Sequence, residues 1–371
     1  MSEPVRILQV FGCLDRGGAE NMIMSVYRNI DRSEMQFDFV VHLDREGDFD
    51  SEVKAMGGRI FHAPKYSGLN HFEYKKWWDS FFKNHPEYKI LHSHVRSTAS
   101  IYTKIAKKYG VKTIVHSHST VVSGKGLSAS VKSFLQRNIT DNADVCLACS
   151  LPAGKWLFKN RDFIIYPNTI DSEKFIFDRQ KREKLRLQMG IDENTLTVGH
   201  VGRYHPLKNH RFLMDIFSEV LKIKTDSKLL MVGDNIGSGG IPKSELEAYA
   251  KEKGIYDNCI FAGNVSNVSD YLSAFDVFVF PSIHEGLPVT LIEAQAACLP
   301  CIVSSNVSKE CAVTDLVGFE SIDKPASVWA QEIIKKDGFQ RYDMSRQMYD
   351  AGCDVKAGAK MLTDIYYSLL G

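Results

Sequence analysis

A chain of 371 residues exceeds the span of one ordinary hydrophobic core, so two domains are expected. Its 46 basic and 45 acidic side chains leave a formal charge of +1, which argues against a nucleic-acid partner, and 44% hydrophobic with 25% charged residues is the balance of a soluble globular protein. No apolar run approaches the ~20 residues needed to span a bilayer, and Met1-Ser2-Glu3-Pro4 runs into a strand-like segment without a charged-then-apolar leader, so a cytoplasmic location is expected.

Strand and helix patterns alternate from the start. Arg6–Phe11 reads as a strand, and Gly17-Gly18-Ala19-Glu20 opens a helix to about Asn29. Phe37–His42 (strand), Asp48–Met56 (helix), Arg59–Ala63 (strand) and Phe72–Asn84 (helix) follow. Lys89–His94 and Lys112–His118 are strands around the helix Thr98–Tyr109, then come helix Val131–Asn142 and strands Asp144–Ala148 and Phe163–Tyr166. Pro167 to about Asn194 breaks the rhythm with the charged stretch Asp178–Arg186 and is predicted as the passage between domains. A second series follows: strand Leu196–Val201, helix Asn209–Ile223, strand Lys228–Val232, helix Lys243–Lys253, strand Cys259–Ala262, helix Val268–Ser273, strand Val277–Phe280, helix Val289–Ala297 and strand Cys301–Ser304. The tail, about Ser345 to Leu370, is a helix or helix pair. Such βα alternation predicts parallel sheets with helices on both faces, twice over, with a cleft between domains as the default binding site.

The richest segment is Pro281–Ala294, joining an apolar strand to a helix with Glu285 and Glu293 eight positions apart. A strand's carboxyl end opening onto a helix N-terminus is where α/β proteins hold anionic ligands. A phosphate on the turn, with acids for hydroxyls on either side, suits a nucleotide sugar. Eight helical residues span roughly 12 Å, too far for a glycosidase pair, whose carboxyls stand about 5 Å apart or under ~10 Å. Arg203 and Lys208 follow the strand Leu196–Val201 and offer a bidentate fork and a point charge to a phosphate. Gly17 and Gly18 give a ligand access to backbone, but their spacing from Gly12 is not the dinucleotide G-x-G-x-x-G fingerprint.

His92 and His94 end one strand, His116 and His118 the next. Four histidines there raise the question of a metal, but no carboxylate context supports one. A polar contact to a sugar, or a place on a proton path, is the better reading. Asp48-Phe49-Asp50 has the form of a metal-binding DxD, but at the start of a surface helix its acids complement the dipole. The spacings Cys146/Cys149 and Cys298/Cys301 lie about 150 residues apart, against the ~20 typical of a zinc site, so the eight cysteines are expected as reduced, buried thiols.

Gly17-Gly18-Ala19-Glu20, Pro167-Asn168-Thr169-Ile170-Asp171, Arg203-x4-Lys208, Val232-Gly233-Asp234, Phe261-x-Gly263 and Glu285-x7-Glu293 occur in that order. Together they resemble glycosyltransferase family 4, in particular the bacterial enzymes of capsule, exopolysaccharide and O-antigen assembly. The resemblance covers nearly the whole chain. It implies the GT-B fold: two doubly wound Rossmann-like parallel-sheet domains with an inter-domain cleft. The expected limits are residues 1–170 for an acceptor-side domain, 171–345 for a nucleotide-sugar domain, and 346–371 for a helix returning towards the first.

It also implies a retaining transferase that moves a hexose or N-acetylhexosamine from an NDP-sugar, UDP preferred, with no essential metal or other cofactor. The acceptor is expected to be a glycan or polyprenyl-linked oligosaccharide. Arg203 and Lys208 match the diphosphate cations, Glu285 the acid on donor-sugar hydroxyls, Glu293 the acid on the ribose, and His118 a sugar contact. Gly17 and Gly18 match the turn at the diphosphate; Gly286, Leu287 and Pro288 match backbone at phosphate or sugar; Asn264 and Val265 flank the base. Asn168-Thr169 and Asp234-Asn235 replace the commoner Asn-Gly and Asp-Gly, which leaves donor preference open. An epimerase or a phosphorylase is the alternative on similar architecture. The helix from Phe72, with Tyr74, Trp77, Trp78, Phe81 and Phe82 beside Lys75, Lys76, Lys83 and Lys89, is read either as core or as a face for the inner membrane surface.

Overall fold

The computed structural model describes residues 3–118, 138–235, 239–285 and 287–371. The predicted helix Val131–Asn142 falls mostly outside them. The chain divides into two compact units, Met1–Thr169 with Val355–Gly371, and Ile170–Asp354.

In the first unit β1 (Val5–Phe11), β2 (Met35–Val41), β3 (Ile60–His62), β4 (Ile90–Ser93), β5 (Lys112–Ser117), β6 (Val145–Ala148) and β7 (Ile164–Ile165) form one parallel sheet in the order β3-β2-β1-β4-β5-β6-β7. Alternation along β1 divides the core. Leu8 and Val10 pack with Tyr74, Trp78 and Tyr102 on one face, while Ile7 and Phe11 pack with Ile23, Tyr27, Leu362 and Tyr366 on the other. The helices Gly18–Asn29 and Val355–Leu370 supply that second face. β2 is buried along its whole length, yet carries Asp38. Its carboxylate accepts from the Arg6 guanidinium at 2.5 and 2.7 Å, the Tyr88 hydroxyl at 2.7 Å and the Arg59 amide at 2.7 Å, which offsets the cost of burying it.

The aromatic helix His71–Asn84 is mainly core. Tyr74, Trp78, Phe81 and Phe82 are buried and Trp77 stacks on Phe81 at 5.2 Å, so most of the membrane-facing reading of this helix is withdrawn. Phe72 remains 84% exposed and neighbouring Leu69 99%.

In the second unit β8 (Leu196–Val201), β9 (Ser227–Val232), β10 (Cys259–Gly263), β11 (Val277–Phe280), β12 (Cys301–Ser304) and β13 (Val317–Glu320) give the parallel order β10-β9-β8-β11-β12-β13. The stretch predicted as a passage between domains is instead part of this unit. It forms a 3-10 turn, Ser172–Phe175, and a helix, Arg179–Gln188, capped by the Asp178 carboxylate on the Gln180 and Lys181 amides. The helix is hidden from apolar periodicity because two of its buried residues are arginines. Arg182 and Arg186 drive their guanidiniums into the carbonyls of Ser273, Ala274 and Phe275, at the end of the helix Val268–Ala274. The short strand β13 and the helix Ala326–Ile334 also lay outside the predicted series.

Candidate active site

Strand order reverses between β8 and β11 in the second unit, the place where open α/β sheets bind ligands. The loops beyond these two strands are tied together: the Ile283 amide donates to the Leu207 carbonyl at 2.8 Å, and the Asn209 side-chain amide to the Pro281 carbonyl at 3.2 Å. That fixes Lys208, on the first loop, with its Nζ 2.9 Å from Glu285 Oε1 on the second and 4.5 Å from the centre of the Phe280 ring. Both side chains keep some exposure, 16% for Lys208 and 23% for Glu285. Glu285 is also held through a parallel bridge to Val307.

The next loop is pressed against this one. Gly233 has φ +142°, and a Cβ there would stand 2.0 Å from the Gly202 carbonyl oxygen, so only glycine fits. Its amide donates to Gly263, whose own φ is +72° and which leads to exposed Asn264 and half-buried Val265. Arg203 is exposed on the loop after β8. Leu287 and Pro288 precede the helix Val289–Ala296, with Leu287 packed on the core; Gly286 lies outside the described residues. Glu293 sits on that helix, and burial pushes its carboxyl up to about 7. The hydroxyls of Ser282 and Thr290 are buried and make no hydrogen bond to a described residue.

Sequence reasoning passed over His200 and His210. His200 bonds the Val279 carbonyl through Nδ1 at 2.8 Å, linking β8 to β11. His210 packs against it at 4.9 Å. Burial, reinforced by Lys208, pushes His200 down to about 4; burial, then His200 and Lys208, push His210 to about 2. Both are neutral, so Lys208 carries its charge over an uncharged floor. The available signal was a histidine inside the apolar run Leu196–Val201.

In the first unit the reversal lies between β1 and β4. Gly17 and Gly18 follow β1 at the start of the helix Gly18–Asn29, and the space over Gly18 is open. The Glu20 carboxyl folds back where a Gly17 side chain would lie, and burial raises its pKa. His92, His94, His116 and His118 form a stacked group with successive ring centres 4.2, 5.1 and 4.0 Å apart along the order His92, His94, His118, His116. Burial lowers all four pKa values, that of His118 to about 3, so these imidazoles are neutral.

One nitrogen from each of His92, His94 and His116 falls within 4.8 Å of the others, close enough to suggest a metal. Two features argue otherwise. The His92 and His94 rings pack against each other, centres 4.2 Å apart and planes tilted by 35°, and both nitrogens of His94 are already bonded, to His118 at 2.8 Å and to Gln9 at 3.0 Å. In the DxD-like segment, Asp48 accepts from the Arg16 amide and Asp50 is buried at the start of the helix Asp50–Ala55. All eight cysteines are free thiols. A further depression, lined by Arg182, Asp276 and Arg341, lies at the opposite ends of β8 and β11, and its charges are engaged with one another and with carbonyls.

The geometry thus offers a cation, carboxylates and backbone at one sheet edge, and neutral hydrogen-bonding imidazoles at another. Residues 17–157 match the glycosyl transferase 4-like domain and residues 195–334 the glycosyl transferases group 1 model. The chain is 32% identical over 96% of both lengths to the putative glycosyltransferase EpsF of Bacillus subtilis (strain 168). It is 26% identical, over 61% of its length and 60% of the relative's, to the UDP-Gal:alpha-D-GlcNAc-diphosphoundecaprenol alpha-1,3-galactosyltransferase of Escherichia coli. The crystal structure of Anabaena Alr3699/HepE in complex with UDP has the same fold, with a TM-score of 0.78 at 15% identity over 98% of this chain and 100% of that one. Two doubly wound units with these matches make the chain a member of the GT-B glycosyltransferases, a transferase enzyme.

Proposed function

We propose that the chain moves a hexose or N-acetylhexosamine from a UDP-sugar, with retention of anomeric configuration, onto a polyprenyl-linked glycan for cell-surface polysaccharide. The observation that carries this is the Lys208–Glu285 pair astride the reversal of strand order. The hard step in such a transfer is departure of the nucleoside diphosphate, as negative charge grows on its leaving oxygen. Lys208 and Arg203 stabilise that charge; one well-placed donor of this kind is worth ~3 kcal/mol, about a hundredfold in rate. Glu285 then takes donor-sugar hydroxyls, Glu293 the ribose, and backbone at Gly286, Leu287 and Pro288 the phosphate or sugar. Asn264 and Val265 flank the base, and Gly17 and Gly18 approach the diphosphate. His118 contacts the sugar. No metal is assigned, since side-chain cations supply the charge.

UDP is favoured by its presence in the Anabaena neighbour, and the lipid-linked acceptor by the name of the Escherichia coli relative. None of the described helices is long and apolar enough to cross a membrane. Peripheral association on the inner face of the membrane is assigned to exposed Leu69 and Phe72, flanked by exposed Lys65, Lys75 and Lys76. The decisive experiment incubates the purified protein with UDP-sugars and an undecaprenyl-diphosphate saccharide, in the presence of EDTA, and reads the new linkage by NMR. An α-linked product from an α-linked donor supports the reading; inversion, or dependence on a divalent ion, overturns that part of it.

A further inference from the structure

Gln9 lies inside the apolar strand β1, fully buried, on the same sheet face as His92, His94 and His116. Both ends of its side-chain amide are committed. The amide nitrogen donates to the Tyr366 hydroxyl at 2.9 Å, and that hydroxyl lies 2.7 Å from His92 Nδ1. The amide oxygen lies 3.0 Å from His94 Nε2, and His94 Nδ1 lies 2.8 Å from His118 Nε2. Five residues from β1, the ends of β4 and β5, and the helix Val355–Leu370 therefore make one hydrogen-bonded chain.

An amide oxygen only accepts, so His94 carries its proton on Nε2. A neutral imidazole has one such proton, so His94 Nδ1 accepts, and His118 must donate from its Nε2. His118 Nδ1 is then a bare lone pair. Reversing the Gln9 amide would reverse every bond along the chain and turn His118 Nδ1 into a donor. Phe11 stacks on His94 at 4.1 Å and the His92 ring centre lies 4.2 Å from it, which holds the middle ring in place.

We propose that Gln9 and His94 are positioning residues that hold His118 in its Nε2–H tautomer, so that Nδ1 accepts a hydrogen bond from a saccharide hydroxyl. This rests on the reading of His118 as a sugar contact. It adds a preference: the group facing His118 must be a hydroxyl that donates, and a substrate deoxygenated there loses the interaction. An orienting group of this kind controls rate through the tautomer rather than through direct contact with substrate.

The test is long-range proton–nitrogen NMR of ligand-free protein labelled in its histidines, which reads each tautomer without turnover. His118 and His94 are expected as Nε2–H in the wild type. Gln9→Leu is expected to mix the His118 tautomers and lower kcat about tenfold or more, with little change in donor KM. Tyr366→Phe, which unties the amide nitrogen while keeping the ring, is expected to mix them too and serves if Gln9→Leu does not fold. A wild-type His118 protonated on Nδ1, or unchanged tautomers in the variants, overturns the proposal. Correct tautomers in a protein that transfers no sugar would instead refute the functional reading.

Discussion

Lys208 Nζ and Glu285 Oε1 lie 2.9 Å apart although 77 positions separate them, because they stand on the loops that follow two adjacent parallel strands where the strand order reverses. Each is the other's counter-charge in the unliganded protein. A diphosphate that draws Lys208 to itself releases Glu285 to accept hydroxyls, so binding exchanges one charged contact for two. Lys208→Ala is expected to lower kcat about a hundredfold at saturating donor. Glu285→Gln keeps a hydrogen-bonding end but loses the charge, and is expected to lose about tenfold or more. Initial rates with varied UDP-sugar check both, and wild-type kcat in either variant would remove the pair from the mechanism.

Glu293 links pH to both binding and stability. Burial pushes its carboxyl up to about 7, above the unfolded value near 4.3. The native state therefore holds more protons between those limits, and stability, fully present below the lower, falls as pH rises through the higher. The loss amounts to at most about 4 kcal/mol, less the solvent screening that a side chain with some remaining exposure retains. If Glu293 takes the ribose hydroxyls as proposed, its charged form is the stronger acceptor, and UDP affinity should rise across the same window. Glu293→Gln should melt higher than wild type at pH 8 while binding UDP at least tenfold more weakly. Thermal melts and titration calorimetry at pH 6 and 8 measure this; parallel melting curves for the two proteins would show that the group is not buried in solution.

The exposed residues Leu69 and Phe72 stand where the aromatic helix begins, with exposed Lys65, Lys75 and Lys76, and one exposed acid, Glu73, close to them in sequence. Apolar tips with lysines around them bind anionic interfaces, each cation near the surface adding about 1 kcal/mol. Vesicles containing phosphatidylglycerol should float the wild type at low salt and release it at high salt. Leu69→Glu with Phe72→Glu should abolish flotation yet leave transfer to a water-soluble acceptor unchanged. Wild-type protein that stays at the bottom of the gradient would end the assignment.

Much of this was legible because parallel sheets are written as apolar runs separated by amphipathic helices, and because the charged ends of β8 and β11 sit in short motifs. The parts that were hidden share a physical cause. Gln9 and Tyr366 meet across 357 positions, and nothing local announces that a glutamine in Val5–Phe11 is anchored by the last helix. The helix Arg179–Gln188 buries guanidiniums instead of leucines along much of its inner side, so a hydrophobic pattern could not reveal it. In the segment from Phe72, lysines and aromatics alternate closely enough that core and interface readings look alike until Trp78 is seen inside.

The buried arginines of that helix make the last prediction. Arg182 Nη2 lies 2.8 Å from Asp276 Oδ1, Arg186 Nη1 lies 3.3 Å from Oδ2, and the Thr197 amide donates to the same carboxylate at 2.8 Å. Arg186 is 1% exposed, so it cannot turn to water if Asp276 is lost. Carbonyls of Ala274, Asp192 and Thr195 accept from it as well, but dipoles do not neutralise a full charge, and the remaining carboxylate, Glu193, is 59% exposed and stands 3.9 Å away. Breaking a buried pair by removing one member costs about 3–5 kcal/mol. At about 2–4 °C per kcal/mol for a unit of this size, Asp276→Ala should lower the melting temperature by roughly 6–20 °C. Circular dichroism melts give the number directly. A fall of under about 2 °C would mean that the carbonyls together with the Glu193 carboxylate satisfy both guanidiniums, and that Asp276 serves chiefly to cap β8 through Thr197.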